Sequence, residues 1–120
     1  MELTWTDDGG VRTIRLKGRM DLEAATAIDL KFTSLTTSER FFIVVDLSDV
    51  AFMASMGLAT LVRAARAARL RRGNLVLLNP VPAVLQVLRS TRIDEMLAVY
   101  TDLDAARTAA LTWASSPDNA

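Results

Sequence analysis

The side chains in this sequence whose chemistry could be put to use are hydroxyls and carboxylates. Asp46, Asp49 and Ser55 lie within one stretch, residues 43–58. No imidazole or thiol can join them, because the chain has no histidine and no cysteine. A Ser-His-Asp triad cannot be assembled, and disulfides, thiolate nucleophiles and thiolate metal sites are excluded. Carboxylate chemistry and phosphoryl acceptance at a hydroxyl remain open. Asp46 and Asp49 read as turn formers at the end of a strand, since nothing around them builds a second shell for catalysis. No metal and no cofactor is expected.

Ser55 is the more informative position. It reads as the N-cap of a helix, with Gly57 two residues on. A helix start presents unpaired N–H groups and partial positive charge. A phosphate there would add a charge of about −2, which the helix tolerates and a docked partner would not. Gly57 removes a side chain beside the hydroxyl, so another backbone can approach closely. Asp21 reads as the N-cap of an earlier helix. Phe52, Met53 and Met56 flank the serine. They form an apolar docking patch if exposed and core if buried.

Alternating and continuous apolar runs place these residues. Residues 2–6 alternate, residues 7–10 (Asp-Asp-Gly-Gly) form a turn, and Ile14 and Leu16 alternate with Arg15 and Lys17, which predicts a β-hairpin. Residues 22–35 predict a helix with a stripe of Leu22, Ala25, Ile28, Leu30, Phe32 and Leu35, broken by Thr36-Thr37-Ser38. The apolar run 41–45 predicts a strand buried on both faces, ended by residues 46–49, with 50–54 as loop or short extension. A helix from Ser55 to about Arg72 carries Leu58, Leu61, Val62, Ala65 and Ala68 inward and is stopped by Gly73-Asn74. A strand at 75–78, a helix at 83–89 behind Pro82, a strand at 96–100 and a helix at 102–113 complete the chain. The order ββαβαβαβα predicts one α/β domain over residues 1–113, with a short tail at 114–120. Its mixed four- to five-stranded sheet is parallel in the centre, and about four helices cover it.

The 120 residues suit one core, and 51% of them are hydrophobic. Fourteen basic and fourteen acidic side chains give a formal net charge of zero. Average charge therefore gives no reason to expect nucleic acid or an anionic membrane as partner. The arginines between Arg63 and Arg72 read as a solvated helix face, with no aromatics among them for base stacking. The acidic, alternating N-terminus does not read as a signal peptide, and residues 50–62 are too short to span a bilayer. A soluble cytoplasmic protein is expected.

The stretch Asp46-Leu47-Ser48, followed at fixed spacing by Ser55, Gly57 and Leu58, resembles the switch segment of the bacterial anti-sigma-factor antagonists of the STAS-domain family. Gly18-Arg19-Met20-Asp21-Leu22 resembles that family's second conserved segment. The resemblance implies a STAS fold and partner switching without enzymatic activity of the chain's own. Ser55 would be the phosphoacceptor, and Asp21, Met53, Ala54, Ser55, Met56 and Gly57 would form the partner-binding surface. The implied partners are an anti-sigma factor that is also a GHKL-type serine kinase, and a PP2C-type phosphatase, with the chain itself a monomer or weak dimer. The sequence departs from the family pattern at Ala54, where Asp is usual, and at Met56, where Ser or Thr is usual. Those departures favour a second implied role, a STAS scaffold of a signalling or transport assembly that binds without being modified.

Overall fold

The computed structural model describes residues 1–37 and 42–114, with side chains to residue 111. Strands β1 (Glu2–Asp8) and β2 (Val11–Met20) form the antiparallel hairpin. Its turn is two residues, Gly9 and Gly10, both at positive φ (58° and 82°), a conformation glycine adopts without strain. Asp7 and Asp8, expected in the turn, belong to the strand. Asp7 stands opposite Arg12, whose Nε and Nη2 donate to its two carboxylate oxygens at 2.7 and 2.8 Å. This hydrogen-bonded pairing raises the Arg12 pKa against the opposing effect of burial. Arg12 Nη1 also donates to the carbonyl of Leu35, tying the hairpin to the next helix.

That helix, α1 (Leu22–Thr37), buries Ala25, Ile28, Phe32, Leu35 and Thr36. Leu22 and Leu30 were expected in the buried stripe and are exposed instead. Leu30 lies two residues from both Ile28 and Phe32, which at 100° per residue turns it to the opposite face. Thr36 does not break the helix, because its hydroxyl donates to the Phe32 carbonyl at 2.9 Å within the core. Ser38 and Phe41 lie outside the described residues.

Strand β3 (Phe42–Met53) is longer than expected. Residues 46–53 stay extended because β2 continues alongside them, in parallel register to Met20–Met53, through irregularities near Arg15 and Gly18. Only Phe42–Asp46 also pair with β4 (Asn74–Leu78). Helix α2 (Ser55–Leu70) follows. Arg71 is its C-cap and Arg72 sits in the left-handed conformation at φ 62°. Arg72 N–H donates to Arg69 O at 3.0 Å and Gly73 N–H to Ala68 O at 2.7 Å, the bond pair of a Schellman ending. The expected glycine stop is thus shifted by one residue, with arginine at the left-handed site.

Beyond β4 come α3 (Pro82–Ser90), a 3-10 turn (Ile93–Glu95), β5 (Val99–Tyr100) and α4 (Leu103–Ala114). Strand β5 is shorter than the expected 96–100, because Met96 and Leu97 N–H close the 3-10 turn on Ile93 O at 2.9 and 2.8 Å. Asp102 precedes α4 as its cap, accepting from Ala105 N–H at 2.9 Å.

The sheet order is β1-β2-β3-β4-β5, parallel from β2 onward. Ile43, Val45 and Leu47 face a core shared with α1, α2 and α3. Val44, Val76 and Leu78 face Ala106 and Ala110 of α4. Covering both faces explains the unbroken apolar runs of β3 and β4, each such side chain contributing about 1.5–3 kcal/mol on burial.

Candidate functional site

Strands β2 and β3 end side by side at Met20 and Met53, and each turns at once into a helix. Ala54 N–H donates to Met20 O at 2.9 Å, which holds the two helix starts together. At α1 the arrangement follows the expectation: Asp21 Oδ1 accepts from Ala24 N–H at 2.9 Å.

At α2 it does not. Ala54, with φ −90° and ψ 172°, occupies the cap position and offers no side-chain acceptor. Ser55, expected as the N-cap, is the first residue inside the helix. Its bond to Met20 fixes Ala54 in the extended conformation a cap requires, and this decides the boundary against the capping preference of serine. The Ser55 hydroxyl is exposed and makes no hydrogen bond among the described residues. The first backbone bonds of the helix come from Gly57 and Leu58 N–H, both to Ala54 O, at 3.0 and 3.2 Å. The N–H groups of Ser55 and Met56 therefore lack helical acceptors and concentrate partial positive charge beside the hydroxyl.

The six residues named for partner binding divide between surface and interior. Ser55 and Met56 are exposed, the latter at 42%, and Asp21 and Ala54 are half-buried. Met53, 3% exposed, and Gly57 lie inside. The close approach that Gly57 permits is internal: a Cβ there would stand 2.9 Å from Met20 Cγ, 3.0 Å from Met20 Sδ and 3.1 Å from Met53 Cγ. These two methionines and the glycine set how closely the start of α2 sits over the strand ends. They support the surface from beneath rather than form it.

Two residues not named from the sequence join this surface. The Arg19 guanidinium lies 4.6 Å from the ring centroid of Phe52, which is 39% exposed, a cation–π contact across adjacent strand ends. Leu22, the first residue of α1, is exposed beside Asp21. The signal for Leu22 was its place directly after a capping residue. Arg19 carried none, since its contact depends on register.

Asp46 and Asp49, expected as turn formers in a strand-end loop, lie within β3. Asp46 Oδ1 accepts from Ser48 N–H at 2.9 Å and Ser48 Oγ at 2.7 Å, and its Oδ2 lies 3.7 Å from Arg15 Nε. Among the described residues no group of three or more His, Cys, Asp or Glu could hold a metal ion. No helix among them is long and apolar enough to cross a membrane.

Several solved structures share this fold. An anti-sigma factor antagonist from Mycobacterium paratuberculosis is 24% identical, covers 92% of this chain and 93% of its own, and superposes with a TM-score of 0.80. An anti-sigma-factor antagonist (STAS) domain protein from Planctomyces limnophilus is 22% identical over 91% of this chain and 97% of its own, at 0.80. The phosphorylated form of the Bacillus cell fate determinant SpoIIAA is 22% identical over 87% and 96%, at 0.66. Among curated proteins none matches this chain. The STAS-domain family profile matches residues 3–106, which takes in the hairpin, both helix starts and the first turn of α4. On that match the chain belongs to the STAS domain family.

Proposed function

We propose that this chain is an anti-sigma-factor antagonist that works by partner switching at Ser55. The surface of Ala54, Ser55, Met56, Asp21 and Leu22 docks an anti-sigma factor that is also a GHKL-type serine kinase. Within that complex Ser55 Oγ attacks the γ-phosphorus of ATP, its proton passes to the kinase, and ADP leaves. The new dianion sits at the positive end of α2, which accommodates it, and against an apolar partner surface, which does not. The partner is released, and a PP2C-type phosphatase hydrolyses the phosphoserine to reset the site.

One observation carries this reading: the Ser55 hydroxyl is exposed, and unbonded among the described residues, at the first residue of a helix with no side-chain cap. The test is incubation with ATP and the cognate kinase, with the phosphate located by mass spectrometry. Label on Ser55, absent in Ser55→Ala, is expected. Label elsewhere, or nowhere, sinks the mechanism. Ser55→Asp is expected to weaken partner affinity at least 30-fold, in line with roughly 2–5 kcal/mol for an unpaired charge in an interface.

Ala54 and Met56 favour a second reading, a STAS scaffold that binds its partner without modification. Partner affinity left unchanged by Ser55→Asp would select it.

A further inference from the structure

The balance of 14 basic and 14 acidic residues holds for the chain as a whole, but the fold sorts these charges unevenly. Helices α2 and α3 both follow strands of the parallel region, so both descend from the Ser55 end of the sheet to the opposite end. The last turns of α2 and the segment after α3 meet there, joined by a hydrogen bond from Arg69 Nη2 to Met96 O. Arg66, Arg72, Arg89 and Arg92 are exposed at this end, and none has an acidic partner among the described residues. The nearby acids of the hairpin, Asp7 and Asp8, are already paired with Arg12 and Arg107. Asp94 and Glu95 line a groove with Arg69 and offset only part of the charge.

Leu70, between Arg66 and Arg72 at the end of α2, is 87% exposed. Arg66 and Leu70, four residues apart, share one face of α2. Arginines in the last turn of a helix can be explained as partners for its dipole, but Arg72 and Arg92 lie beyond their helices and an exposed leucine is no such partner. We infer that this end of the molecule is a docking surface for an anionic lipid bilayer. The arginines would sit at the phosphate level of the headgroups, with Leu70 inserted between them. A protein partner would be expected to meet a shaped apolar groove around Leu70. A single exposed leucine flanked by Arg66 and Arg72 fits a fluid interface, which needs no shape match. Ser55 lies about 22 Å away along α2, at 1.5 Å per residue, so a lipid-bound molecule keeps its switch surface facing solvent.

The test is co-flotation of the intact chain with vesicles. Binding is expected to vesicles of phosphatidylcholine with about one-third phosphatidylglycerol and not to phosphatidylcholine alone. It should be lost at about 0.5 M salt, where the Debye length is only a few ångströms. Arg66→Gln and Arg72→Gln should each lower partitioning about five-fold, from roughly 1 kcal/mol per basic residue near an anionic surface. Leu70→Ser should lower it with no change in salt dependence. Circular dichroism of each variant is the check that it is folded. No binding to the anionic vesicles at low salt overturns the proposal. So does equal binding to neutral vesicles, or retention of a single-stranded oligonucleotide without retention of vesicles.

Discussion

Two helices start side by side at the same end of the sheet and are held there by different means. Asp21 secures α1 through its own side chain, which accepts the N–H of Ala24. Helix α2 has no such bond at Ala54. Its start is held by contact, with Gly57 pressed against Met20 and Met53, and by the Ala54–Met20 backbone bond. One start is satisfied from within, and the other is fixed in place while its polar groups stay open. A hydroxyl can be modified at the second without dismantling a cap. At the first, any change to the carboxylate removes a structural bond.

The largest effect that would test this contrast is expected at Gly57. A valine there drives its side chain into Met20 and Met53 and should destabilise the domain by about 2–3 kcal/mol, read from urea midpoints. Stability within about 0.5 kcal/mol of the parent would mean that packing is not what holds α2. Next comes an exchange of caps. Asp21→Ala should lose about 1 kcal/mol and Ala54→Asp should gain a similar amount, with the double variant close to the parent in thermal unfolding. No gain from Ala54→Asp would show that the open N–H groups of α2 are satisfied in another way. The smallest effect compares the two ends of α2 itself. Arg72→Gly at the left-handed position should stabilise by about 0.5–1 kcal/mol, a rise of a few degrees in Tm; a fall would mean the arginine side chain does more for the folded state than its backbone strain costs.

The sequence disclosed the order of elements because its signals are strong and local. Ile43–Val45 and Leu75–Leu78 are apolar on both faces, Gly9-Gly10 marks the hairpin, and Asp21 caps the helix it precedes. It hid what depends on a neighbour. Residues 46–53 look like a loop because Asp46, Ser48 and Asp49 are polar, yet β2 beside them keeps the chain extended. Serine is a preferred cap, so Ser55 reads as one, but the bond of Ala54 to Met20 moves the boundary by a residue. Leu30 reads as core by composition and is outward by phase. Of the site, the exposed serine at a helix start was legible. The inward placement of Met53 and Gly57 was not, because the packing around Gly57 includes Met20 from another strand.

The contact of Gly57 with two methionines brings position 20 into one volume with positions 53 and 57, more than thirty residues further along the chain. Residues 20, 53 and 57 cannot change size independently: a side chain at 57 needs a smaller one at 20 or 53. Over evolutionary time the three should covary, and a change at any of them should tilt Ser55 without altering any exposed residue around it.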